Sequence, residues 1–141
     1  MSVLKPAASY IEIVDGVGPI LRGSRCDGCG TIFLGERNTC GRCGARGCMA
    51  RYVLGTRGTL HCFTIVYRSY PGINVPFVSA IVDLEGGGSV KGNLLEVPLD
   101  PSAISFGMRV DVVFRDAGCA SPEAAGHVAH FFVPEQESAH V

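Results

Sequence analysis

No stretch of this sequence approaches the run of about 20 apolar residues that crosses a membrane. Met1–Ser9 holds one lysine, one proline and no apolar run of signal-peptide length, so a cytoplasmic location with no membrane contact is expected. Charge is scarce as well. Only 18% of the 141 residues are Asp, Glu, Lys or Arg, and 12 basic against 13 acidic side chains leave a net charge of −1. That balance gives nucleic acid no whole-chain attraction, and none is expected as a partner. Size sets the third limit: the chain fits one domain, or a small module beside a compact one, which excludes a larger multidomain enzyme. What is present is a 47% apolar share, enough for a packed core, together with 19 glycines and 8 prolines that call for many tight turns and short strands.

The 7 cysteines are unevenly placed. Cys26, Cys29, Cys40 and Cys43 form two Cys-x-x-Cys pairs, and each pair is followed by a glycine, Gly30 and Gly44. In a metal knuckle the chain reverses within about four residues while amides point at thiolate sulfurs, and glycine tolerates the positive φ that such a turn needs. Four thiolates around one tetrahedral Zn(II) follow, with residues 30–39 expected to form a short hairpin that brings the second knuckle against the first. The arrangement is a zinc ribbon of rubredoxin-like form. Iron uses the same four ligands, so the spacing does not separate Zn from Fe. Four protein ligands leave no open coordination position, which makes the metal structural. A duplicated redox dithiol is the competing reading, but a thioredoxin-type motif sits singly at a strand-to-helix turn.

Cys48, five residues past Cys43, is left out of the ligand set because the knuckles are already symmetrical. Cys62 follows His61, yet neighbours on a strand point to opposite faces and form no dyad. His127 and His130 read as ordinary strand residues.

From Gly55 onward the composition turns to β-branched and aromatic residues. Strands are expected over residues 59–68, 77–84, 89–95, 109–115 and 127–133, with a hairpin turn at Glu85–Gly88. Asp100 and Pro101 suit the N-cap and first position of a short helix or turn between the third and fourth strands. Five strands in that layout match a small Greek-key barrel of the OB type. The expected organisation is an arm over 1–25 (a short helix or an extended segment), a zinc ribbon over 26–54, a mostly β barrel over 55–134 and a tail over 135–141.

The knuckles, Gly58-Thr59-Leu60, Phe63–Val66, Pro76–Leu84, Gly92-Asn93-Leu94 and Gly107–Phe114 together resemble the zinc-ribbon OB-fold proteins of the DUF35 family, over about Cys26 to Asp116. The resemblance implies a small non-catalytic partner of a thiolase-superfamily large subunit, as in acetoacetyl-CoA or benzoylsuccinyl-CoA thiolase assemblies. The large subunit would hold the catalytic cysteine, and the small one would assemble the complex and shape the site for a CoA thioester. The residues agree, because an activated cysteine, histidine bases and an oxyanion hole need a larger scaffold than this barrel. The loop Tyr67–Ile73 combines aromatic, basic and rigid residues, which makes Arg68, Tyr70 and Pro71 candidates for the interface or for facing CoA; the plainer reading is a solvated loop. A zinc ribbon on an OB barrel is also a nucleic-acid-binding combination. Around the barrel, however, Arg57, Arg68, Lys91, Arg109 and Arg115 are interleaved with acids and form no basic stripe.

Overall fold

The structure is a computed structural model that describes residues 5–135, the side chains of Cys119 and Glu123 excepted. The expected tail lies outside the described residues from position 136 onward. Ten strands occur in chain order: β1 (Lys5–Pro6), β2 (Ile11–Val14), β3 (Gly18–Cys26), β4 (Ile32–Leu34), β5 (Met49–Val53), β6 (Arg57–Val66), β7 (Phe77–Leu84), β8 (Ser89–Leu94), β9 (Arg109–Asp116) and β10 (His127–Pro134).

Period-two alternation builds the second half. In β7, Val78, Ala80, Val82 and Leu84 are buried while Ile81 and Asp83 face outward, and in β9 Val110 and Val112 point inward. Each strand therefore offers one apolar face, and the chain closes those faces into a ring. β6 pairs antiparallel with β7 and with β9, β7 with β8, and β9 with β10; a parallel contact between β8 and β10 completes the circuit. This is the five-stranded OB barrel expected from the sequence. Phe132, fully buried, fills its interior together with Leu60, Val90 and Ile104. Burial of such a ring contributes about 1.5–3 kcal/mol. Between β8 and β9 the expected helix is a single 3₁₀ turn, Pro101–Ala103, whose N-cap Asp100 accepts a hydrogen bond from the Ser102 amide at 3.0 Å.

β10 departs from alternation: Val128 and every residue from His130 to Val133 are buried. Its outer face is covered by the amino-terminal arm, with β1 pairing parallel to it (Lys5↔His127) and the Tyr10 ring set edge-on to His130 at 5.7 Å. The arm is thus extended, not helical. Ile11, Ile13 and Val14 prefer strand, and the tight turn after them returns the chain as β3.

β3 is the long element of the first half. It pairs antiparallel with β2 through residues 18–21, and with both β4 and β5 through its second half, ending on Cys26. Ile11, Leu21 and Leu54 belong to the same buried cluster as the barrel interior, so ribbon and barrel share a core. Their junction is close. A Cβ on Gly87, in the β7–β8 turn at φ +122°, would stand 2.6 Å from Ile32 Cδ1 of the ribbon.

Candidate metal centre

The two knuckles are built alike. After Cys29 and after Cys43 the chain turns through a glycine in the left-handed region, Gly30 at φ +79° and Gly44 at +78°, and their amides donate to the carbonyls of Cys26 (2.7 Å) and Cys40 (3.0 Å). Any L-residue with a Cβ would be strained there. The Arg42 and Cys43 amides also donate to Cys40 Sγ, each at 3.4 Å, which is the sulfur-directed turn that the spacing implied.

The first knuckle is the turn between β3 and β4. The second is closed by a bridge between Thr39 and Arg46. The ten residues between the knuckles do not form a hairpin of their own, contrary to expectation: β4 folds back onto β3, which already presents an edge next to Cys26, and so gains its backbone partners there.

All four Sγ atoms lie within 4.8 Å of one another, with Cys26 to Cys43 at 3.7 Å and Cys29 to Cys40 at 3.6 Å. Four sulfurs at Zn–S distances of about 2.3 Å in a tetrahedron are separated by about 3.8 Å, so the set fits a tetrahedral ion of that size. Cys26 and Cys40 are buried, while Cys29 and Cys43 are exposed. Without a cation the four sulfurs do not share their protons evenly. The Thr31 hydroxyl and amide hold the Cys29 thiol down to about 6. Cys43, although the Ala45 amide favours its thiolate, is pushed up to about 11 by the crowding of Cys26 and Cys40. A divalent cation would relieve that crowding, since it favours all four thiolates at once. The residues fit a closed, structural centre, and the donor set is equally that of zinc and of iron.

Cys48 stands aside, its thiol directed to the Arg46 carbonyl at 3.5 Å. His61 pairs with Asp83 at 3.2 Å. A register shift between Leu60 and Cys62 breaks the strict alternation of β6 at this point. His127 and His130 serve as hydrogen-bonding strand residues, to the carbonyls of Ala124 (3.2 Å) and Lys91 (2.7 Å). Arg68, Tyr70 and Pro71 occupy the exposed loop between β6 and β7, far in sequence from the sulfurs; Tyr70 is 83% exposed and Tyr67 64%.

The barrel's cations are largely neutralised, Arg57 by Asp111, Arg109 by Glu85 and Glu135, and Arg115 by Glu96. The ribbon differs. Residues 22–51 carry six arginines against Asp27 and Glu36. A charge count restricted to that segment finds this concentration, whereas one restricted to the barrel passes over it. Among the described residues, no helix is long and apolar enough to cross a membrane.

Comparison with known proteins agrees with this architecture. A profile of the ChsH2 C-terminal OB-fold domain matches residues 52–115. A DUF35 domain-containing scaffold protein of Methanothermobacter thermautotrophicus is 31% identical over 97 residues, 67% of this chain and 71% of that protein. One of the same description from Methanocaldococcus jannaschii is 29% identical over 97 residues, 67% of each. Among solved structures, a chain of the Ltp2–ChsH2(DUF35) aldolase superposes with a TM-score of 0.61 at 24% identity, over 82% of this chain and 84% of that one. A DUF35-family protein of unknown function from Sulfolobus solfataricus gives 0.51 at 15%, over 81% and 75%.

Proposed function

Because the chain belongs to the DUF35 family, we propose that it is a non-catalytic accessory subunit of a thiolase-like acyl-CoA enzyme, assembling the complex and shaping its CoA-thioester site. The observation that carries this reading is a division within the molecule. Its one cluster of metal-ligating side chains among the described residues is a four-sulfur set that would leave a bound ion no open position. Meanwhile an apolar and aromatic loop, with Tyr67, Tyr70, Ile73 and Val75 at 36% exposure or more, stands free of the barrel interior. The relatives described as scaffold proteins, and the neighbour described as an aldolase, support a role beside an enzyme.

In this reading the large subunit supplies the cysteine that takes the acyl group. The present chain closes the site and holds the thioester in register, lowering the entropic cost of alignment. Arg68, Tyr70 and Pro71 contact the partner or the coenzyme, and the ion is Zn(II), with a purely structural task. Cys62 is dispensable.

The test is purification of the native protein with its companions, identification of the partner by mass, and assay of thiolytic cleavage of a 3-oxoacyl-CoA. Activity is expected from the pair and none from this chain alone. Enzyme-like turnover by the isolated chain, or loss of activity in Cys62→Ala with assembly intact, would overturn the assignment. The rival nucleic-acid reading finds little support on the outward face of β7 and β8, which carries Ser79, Ile81, Asp83, Ser89 and Lys91 and one half-buried aromatic, Phe77.

A further inference from the structure

Beside the close contact of Ile32 with the β7–β8 turn, ribbon and barrel part to leave an open cleft of about 520 Å³. Its ribbon wall carries Phe33, Arg37 and Arg42, and its barrel wall is the turn Gly86–Gly88 with Ser89. The β6–β7 loop uses none of these residues, and the metal centre takes from them only the Arg42 amide, leaving the guanidinium without a role there.

Four features of the cleft point the same way. First, among the described residues no carboxylate lines it. Of the acids near it in sequence, Glu36 pairs with Arg22 at 2.8 Å and Glu85 with Arg109, while Asp83 accepts from Ser89 at the rim and also meets His61. Second, its cations are available: among the described residues Arg37 and Arg42 have no carboxylate partner, unlike Arg22 and Arg51 of the same ribbon. Arg25 adds a third guanidinium, with Nη2 3.7 Å from the position a Cβ would take on Gly30, which also lines the cleft. Third, Arg37 lies over the Phe33 ring at 4.5 Å. Stacking fixes the guanidinium plane while leaving its in-plane N–H donors for a ligand. Fourth, the opposite wall presents three successive glycines, at φ +88°, +122° and +91°, so that apart from Ser89 it is a turn without side chains. Planar guanidinium forks match the oxygens of a phosphate in bidentate fashion, and a doubly charged anion answers two cations that no acid among the described residues neutralises.

We propose that this cleft is a binding site for a phosphate-bearing small molecule, held by Arg37 and Arg42 with Arg25 in support. The phosphoryl group has two sources, free phosphate or pyrophosphate, and the nucleotide end of coenzyme A. The site stands on its own geometry and needs neither a partner subunit nor acyl transfer, so loss of the proposed function leaves it intact.

Calorimetric titration of the full metal-loaded chain with pyrophosphate at low salt tests it, with coenzyme A and pantetheine as a second pair. Saturable binding is expected for pyrophosphate and coenzyme A and none for pantetheine. Tighter binding of coenzyme A assigns the nucleotide source, and equal or weaker binding assigns the free anion. Arg42→Gln and Arg37→Gln should each weaken binding about ten-fold, the loss of one charge-assisted contact, whereas Arg115→Gln, on the barrel, should not. Amide resonances of Gly86–Gly88 in the unaltered protein should shift on addition of pyrophosphate, a readout independent of how the variants fold. The proposal is overturned if no phosphate probe binds, if the shifts fall elsewhere, or if the double variant binds unchanged with its metal content intact. Single-stranded DNA binding a hundred-fold more tightly than pyrophosphate would likewise replace it with a nucleic-acid surface.

Discussion

Ribbon and barrel are held together by opposite means. In the barrel, cohesion is spread over more than ten buried apolar side chains drawn from every strand of the ring, so that no one of them is indispensable to closure. Between residues 26 and 54 the buried apolar residues are Cys26, Cys40 and Leu54, and two of these three belong to the four-sulfur cluster. With so little core, the proposed ion at that cluster would be the ribbon's one node of stability, and the contrast teaches that a short segment with little to bury needs coordination in its place.

The sharpest way to break the comparison is to remove the node. Chelation of the metal, or Cys40→Ser, should unfold the ribbon while the barrel strands persist, since apparent binding energies at such centres are about 10–16 kcal/mol and are realised as folding. Hydrogen exchange resolves this by element: protection should vanish over β4 and the second knuckle and survive in β7 and β9. A cooperative collapse of both regions would show instead that their shared core dominates. Next in size, Phe132→Ala should cost about 3–5 kcal/mol in denaturant melts, with one metal ion per chain retained, because Phe132 has no part in the sulfur cluster.

A smaller effect probes the seam. Gly87→Ala must either move Ile32 or strain a φ of +122°, and should cost about 1–3 kcal/mol. Both regions are expected to remain folded, with altered resonances confined to β4 and the β7–β8 turn. The smallest effect concerns pH. Burial lowers the His130 pKa below its ordinary 6.5, while its Nε2–H donates to the Lys91 carbonyl. The unfolded chain then binds a proton more readily than the folded one, so stability is full above about 6.5 and declines as pH falls from there toward the folded value. Thermal melts of His130→Asn should show a shallower decline between pH 7 and pH 5 than the unaltered protein.

The sequence disclosed the two regions unequally, and for physical reasons. β7 was legible to the residue, because a run rich in β-branched and aromatic residues ends at the glycine turn Glu85–Gly88. The sulfur cluster was legible because a knuckle requires fixed spacing and glycine at one place. The arm was ambiguous, since the strand preference of Ile11, Ile13 and Val14 is followed by glycines that favour neither state; the choice is completed by β10 and β3, which lie far along the chain or across a turn. The pairing of β4 with β3, and the union of Leu21 and Leu54 with the barrel core, likewise depend on tertiary contacts that no local window contains. The arginine cleft was hidden by averaging, because a chain-wide charge of −1 conceals a basic ribbon beside an acidic remainder.

The parallel pairing of Lys5 with His127 has a consequence for the order of events at the ribosome. The last strand of the ribbon ends at Val53, so the metal can be captured early, while the barrel is still unwritten. β1, though translated before the barrel, has no strand partner until His127 and Val128 emerge, several seconds later at about 5–20 residues per second. For that interval Lys5, Pro6 and the Tyr10 ring lack their β10 partners on the nascent chain, so a segment made well before the barrel is among the last to be seated.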